Sequence, residues 1–201
     1  MTKILTIVAV GAMLAVGVLT ADAAEYAIDA THSQIGFKVK HLSISTVSGR
    51  FDTFGGFLSY EVGKLAELTG TAEIDAGSVN TNSEERDKHL RNKDFFDTET
   101  FPKITYAITA VRDVADGKGR IVGNLTMHGV TKVVLLDGEI AGPVKDRHDN
   151  NRIAFTASGK LNRTDFGINY GKAAMVSHDI TLVIEVEAIE KKEEAERDDP
   201  K

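Results

Sequence analysis

Within the stretch from Ile28 to Leu42 the chain alternates in two-residue steps. Ile35, Phe37 and Val39 share one face of an extended strand, and Gln34, Gly36, Lys38 and Lys40 take the other. The same alternation returns through nearly all of the chain and predicts one continuous apolar wall of antiparallel strands. A wall of that kind either fills its interior with its own side chains or encloses something apolar.

The two ends are set apart from this pattern. Lys3 leads into the apolar run Ile4 to Leu19, and Ala21-Asp22-Ala23 follows, which is the layout of a secretory leader cleaved after Ala23. A membrane span needs about 20 predominantly apolar residues. This run stops earlier, at Asp22, and argues against an uncleaved anchor. The last residues, Lys191 to Lys201, are charged almost throughout and read as a solvated tail. The expected organisation is therefore a leader over 1–23, one barrel domain over 24–190 and a disordered tail over 191–201.

There is no cysteine, so neither a disulfide staple nor a lipid anchor at the cleavage point is available. The core must suffice by itself. About 178 residues remain after the leader, enough for one domain that buries roughly 70% of its unfolded surface. The balance of 24 basic against 30 acidic residues gives a net charge of −6, which argues against nucleic acid as a partner. The expectation is a soluble periplasmic protein in no more than transient membrane contact.

Along the domain, Gly49, Gly55 and Gly56 interrupt a second strand-like stretch at the places where a curling sheet needs bends. Thr71 to Ala76 alternates again. The spacing then predicts one short helix, capped by Asn82 with Glu85 three residues on, and carrying the pairs Glu84–Lys88 and Asp87–Arg91. Leu90, Phe95 and Phe96 give it an apolar side with which to dock. Strands follow at Ile104 to Ile108, Arg120 to Met127, Thr131 to Ile140, Arg152 to Lys160 and His178 to Ile189. Asp116-Gly117, His128-Gly129 and Asp137-Gly138 read as hairpins or strand ends, and Gly142 to Asn151 as the most polar loop. About eight strands, short turns and one helix suit an all-β, closed antiparallel barrel, with a sandwich as the competing layout.

Several blocks are familiar in their order. They are His32 to Leu42, Gly49-Arg50-Phe51 with Gly56, Glu85 to Leu90 before Asp94-Phe95-Phe96-Asp97, Phe101-Pro102, Leu125 to Lys132, and Arg163-Thr164-Asp165-Phe166-Gly167. In this the chain resembles the YceI family over Tyr26 to about Ile189. The resemblance implies a lipocalin-like antiparallel barrel in the periplasm, often a homodimer, whose elongated apolar cavity holds a polyisoprenoid or another long-chain amphiphile as ligand, with no cofactor. The acidic extension after Ile189 departs from the compact end associated with the family.

The chemistry-bearing residues support no catalytic or metal centre. His32, His41, His89, His128, His148 and His178 lack zinc-motif spacing. Ser48 and Ser158 stand in no nucleophile elbow, and Gly117, Gly119 and Gly123 lie between strands where a phosphate loop would open a helix. The Asn-x-Thr triplets at Asn124 and Asn162 match a glycan acceptor pattern that is common by chance. Arg163 and Asp165 read as pins of a strand corner.

The aromatic and aliphatic strand residues are the stronger candidates. Phe37, Val39, Phe51, Phe54, Phe57, Ile104, Tyr106, Leu125, Phe155, Phe166, Leu182 and Ile184 are expected to line a ligand slot, with Arg86 and His89 as head-group contacts at its mouth. Alternation alone leaves open whether these side chains fill the barrel or border a hollow. The reading that follows from the resemblance is a carrier of long-chain lipid that performs no covalent step. Two others stand beside it: an enzyme acting on a lipid head group through His89 or His128, and an interaction protein with a filled barrel.

Overall fold

The computed structural model describes residues 23–192. The rest of the leader and of the tail lies outside the described residues. The strands in chain order are β1 (Ala24–Ile28), β2 (Gln34–His41), β3 (Ser45–Phe51), β4 (Phe54–Tyr60), β5 (Thr69–Asp75), β6 (Val79–Asn80), β7 (Lys103–Ala115), β8 (Lys118–Met127), β9 (Val130–Lys145), β10 (Asn151–Asn162) and β11 (Val176–Glu190). One helix, α1 (Glu84–Arg91), separates β6 from β7. No helix among the described residues is long and apolar enough to cross a membrane.

Eight strands close into an antiparallel barrel in the order β1-β4-β5-β7-β8-β9-β10-β11, with β11 returning to β1 through Tyr26–Glu190, Ala27–Ile189 and Ile28–Ala188. Closure removes the unpaired sheet edges that an open sheet of this length would expose. The long β11 carries a second ladder beyond β1: its first half pairs with β2, β2 with β3, and β3 with β6. Three neighbouring strands are thus each broken midway, at Ala30–His32, at Asp52-Thr53 and at Ala76–Ser78. The breaks are stitched together, with the Asp52 amide donating to the Ser78 carbonyl at 3.1 Å and the Asp75 amide to the Thr53 carbonyl at 2.9 Å.

The inner face follows the two-residue period of the sequence. Ile121, Leu125 and Met127 on β8, Val134, Leu136 and Ile140 on β9, and Ile153, Phe155 and Leu161 on β10 are all buried. Two glycines serve this packing by leaving room. A Cβ on Gly49 would stand 2.3 Å from the Phe37 ring, and one on Gly123 at 2.3 Å from Tyr106, so each aromatic side chain lies across its glycine neighbour.

Some expectations from the sequence need correction. Asp137-Gly138 is not a turn, because β9 runs unbroken through it, and Gly138 lies inside where a Cβ would meet Ile121 at 2.6 Å. The loop expected from Gly142 starts only after Lys145, for the same strand extends through Pro143. The helix N-cap is Ser83, one residue later than Asn82, and its side chain makes no capping bond. Nor do the expected helix pairs form. Asp87 turns inward to accept from the Thr81 amide at 2.9 Å and hydroxyl at 2.5 Å, while Arg91 donates to the carbonyls of Gly77 at 2.7 Å and Val79 at 3.2 Å. Glu84, Glu85 and Asp87 in the first turn and Lys88, His89 and Arg91 in the last still complement the helix dipole.

Candidate functional site

Beneath the sheet lie two apolar chambers. The first, about 130 Å³, is bordered by Ile35, Ile104, Tyr106, Leu125, Phe155, Ile184 and their neighbours on the ring strands. The second, about 110 Å³, lies toward the helix and is bordered by Val39, Leu90, Phe95, Phe96, Ile168, Val176 and Ile180. Phe37, Phe51, Met127, Leu161 and Leu182 line both and form a waist between them. The Phe37 and Phe51 rings stand 5.8 Å apart there, and Phe96 meets Phe51 edge-on at 5.6 Å, so the helix side roofs the second chamber with aromatic contacts.

Of the two linings only Thr71, Tyr106 and Arg163 bring polar side chains. The Tyr106 hydroxyl donates to the Val134 carbonyl at 3.1 Å, and burial pushes its phenol well above the usual range. Arg163, only 4% exposed, has its guanidinium on the carbonyls of Ile168 at 2.7 Å, Ser177 and Val176 at 3.1 Å and Gly171 at 3.4 Å. No carboxylate pairs with it among the described ion pairs, and burial draws its pKa down. It pins the corner into β11 and borders the second chamber at once. Water entering such walls finds almost nothing to bond, and an apolar cavity of comparable size, about 150 Å³, is known to stay dry and take apolar guests.

Nine of the twelve expected slot residues border these chambers: Phe37, Val39, Phe51, Ile104, Tyr106, Leu125, Phe155, Leu182 and Ile184. Phe54, Phe57 and Phe166 do not. Phe57 alternates with the buried Leu58 and so points to the other face of β4. Phe54 shares the inward phase of Leu58 and packs against the core, but it borders a separate groove with Pro102 and Lys103 and neither chamber. Phe166 is buried below the chambers, where its carbonyl accepts from His128 Nδ1 at 3.0 Å. Alternation also reveals residues not singled out from sequence: Met127 continues the phase of Leu125, and Leu161 that of Phe155.

Neither expected head-group residue borders a chamber. Arg86 donates to the Thr81 hydroxyl and carbonyl, both at 2.7 Å, tying the helix to β6. His89 Nε2 bonds Asp94 at 2.9 Å, and its ring meets Phe95 and Tyr170 edge-on at 5.1 and 5.0 Å. Between the helix side and the Ile168–Gly171 segment these ring contacts, with Phe95 against Tyr170 at 5.2 Å, are the link, and no hydrogen bond spans the two among the described residues. One cluster offers three potential metal ligands, Asp29, His32 and Glu187. Its carboxylates are taken by Arg152, which donates to Asp29 at 2.9 Å, to Asp146 at 2.8 Å and to Glu187.

A closed antiparallel barrel around an apolar hollow defines a lipocalin-like protein. The chain belongs to the YceI-like domain family, whose profile matches residues 26–188. A UPF0312 protein of Vibrio vulnificus (strain YJ016) is 39% identical over 166 residues, covering 81% of this chain and 88% of the relative. Among solved structures, the YCEI protein of Campylobacter jejuni is similar at a TM-score of 0.70 and 36% identity, over 76% of this chain and 90% of that one. BcnA of Burkholderia cenocepacia shares the fold at a TM-score of 0.73 and 20% identity, over 80% and 99% of the two chains. A polyisoprenoid binding domain from Saccharophagus degradans, implicated in plant cell wall breakdown, does so at 0.63 and 19%, over 84% and 99%.

Proposed function

We propose that the protein is a periplasmic carrier that shelters the hydrocarbon tail of a polyisoprenoid or similar long-chain amphiphile and performs no covalent step. The observation that carries this reading is the pair of apolar chambers meeting at the Phe37–Phe51 waist. Moving a tail from water into such walls gains about 0.8 kcal/mol per buried CH₂, so a long chain binds well without directional contacts. A tail that occupies both chambers displaces the waist side chains as it enters. Chamber length and the few polar groups then set selectivity, and ligands of similar length are tolerated. The description of the Saccharophagus degradans domain as polyisoprenoid binding supports the same ligand class. On this reading residues 1–23 are removed on export, and the protein works alone or as a homodimer.

Native mass spectrometry of protein purified from its own compartment, with organic extraction, tests the proposal. Chemically unchanged amphiphile in the extract is expected. Protein that carries none, and takes up none when offered long-chain lipid, overturns it. Turnover of a lipid head group that disappears in His89→Ala would replace the carrier with the enzyme reading.

A further inference from the structure

Beyond the second chamber, the barrel ends in an apolar tip that stands in water. The β2–β3 turn presents Leu42 at 50% exposure and Ile44 at 83%, and the segment entering β11 presents Tyr170 at 46% and Met175 at 53%. The two segments form one surface. The Leu42 amide donates to the Met175 carbonyl at 2.9 Å, and Val176 pairs with His41 across the ladder. Leu42 and Ser43 both take positive φ, 50° and 59°, so the chain reverses tightly and Ile44 stands at its corner. Each segment also feeds the cavity wall: Val39, Ile168 and Val176 line the second chamber.

Charge at the tip runs against that of the whole protein. In a chain of net charge −6, residues 38–46 and 168–178 hold Lys38, Lys40 and Lys172 and no aspartate or glutamate. All three lysines are exposed. Bordering carboxylates include Asp179, exposed on β11, Asp165, exposed in the turn before Ile168, and Asp94, already bonded to His89. Single exposed apolar residues are ordinary on any protein. Four on two joined segments, flanked by three exposed lysines, form an interfacial anchor in which apolar side chains sink below lipid head groups while ammonium groups meet phosphates.

We propose that this tip docks the protein on an anionic bilayer surface, setting the second chamber against the lipid so that a tail passes between membrane and cavity without crossing water. The passage of a tail rests on the carrier reading, whereas docking stands without it.

Flotation with vesicles of phosphatidylcholine, alone or mixed with phosphatidylglycerol, tests the docking on protein purified from its own cells. Binding to the mixed vesicles is expected to exceed binding to phosphatidylcholine about tenfold or more, from the lysines nearest the surface, and to weaken with salt. Ile44→Asp with Met175→Asp should reduce it about tenfold or more, while the melting temperature holds because both side chains already stand in water. Each form carries the same N-terminus, so residues 1–23 account for no difference between them. Absence of flotation with either vesicle, or equal flotation of parent and variant, overturns the proposal. So does a dimer in sedimentation equilibrium that the variant loses, since the tip would then be a subunit contact. Uptake of a free long-chain amphiphile from solution separates the two readings. A variant that no longer floats yet keeps uptake supports the dock, and protein that floats but takes up nothing overturns the cargo while the dock stands.

Discussion

The ring of Phe37 lies 5.8 Å from that of Phe51 at an angle of 47°, and both rings border both chambers. Phe37 holds this place because its strand partner is Gly49, whose missing side chain leaves the ring somewhere to lie. Phe37→Asp puts a carboxylate at the waist, where a passing tail cannot solvate it. Lipid extracted per mole of protein should fall to background. Retention at the parent level in a folded variant would remove Phe37 from the site.

Gly49→Val addresses the same place from behind. Its Cβ would stand 2.3 Å from Phe37, so the ring must turn into the waist. Overpacking of this kind costs about 1–3 kcal/mol, measurable in urea unfolding, and lipid loading should drop with it.

Arg163→Met strips donors from the carbonyls of Ile168, Ser177 and Val176 at a buried corner. Leaving such acceptors unbonded should cost roughly 2–5 kcal/mol in equilibrium unfolding. Lysine cannot reproduce the fork of donors, so Arg163→Lys should recover only part of it.

Thr81→Val removes the hydroxyl that donates to the buried Asp87 and accepts from Arg86. Hydrogen exchange over residues 84–96 should quicken, by an amount equivalent to about 1–3 kcal/mol of lost protection, while the strands β8 to β10 keep theirs.

Acid should loosen the end of the barrel that carries Arg152. The Asp146 carboxyl is held well below its usual range, first by Arg152 and then by the Asn150 amide; Asp29 is held low by the Thr31 hydroxyl, by His32 and then by Arg152. A lowered folded pKa means that the unfolded chain takes up protons first, so the stability these groups contribute is present at neutral pH. It is lost as pH falls below the ordinary carboxylate range, about 4. Melting temperature followed from pH 7 downward should decline from that point. Arg152→Gln should flatten the share that belongs to Asp146 and leave much of that of Asp29.

What the sequence reveals follows from the period of two. Wherever inward side chains were large and outward ones polar, as at Ile35, Phe37 and Val39, phase alone located the inner wall. It failed where glycine erased the phase. Gly55-Gly56 hides that Phe57 faces away from Leu58, and Gly138 reads as a turn because a glycine packed against Ile121 looks, in one dimension, like a glycine that reverses the chain. Position on the helix alone puts Arg86 and His89 near a mouth. Their partners Thr81 and Asp94 become neighbours through local turns that no pattern of polarity encodes. The closure of β11 on β1 was legible only as a strand count, since the residues that meet there lie more than a hundred positions apart.

The two rims of the barrel differ in how they could give way. At one, the β11–β1 ladder is a hoop of backbone bonds, and prising it apart would strand amides and carbonyls together. At the other, the helix is bonded to the β6 side through Arg86, Asp87 and Arg91, but it meets Tyr170 through the rings of His89 and Phe95, with no hydrogen bond between them among the described residues. Parting the rings from Tyr170 breaks no hydrogen bond between the two, and an incoming hydrocarbon chain can cover the surfaces that it bares.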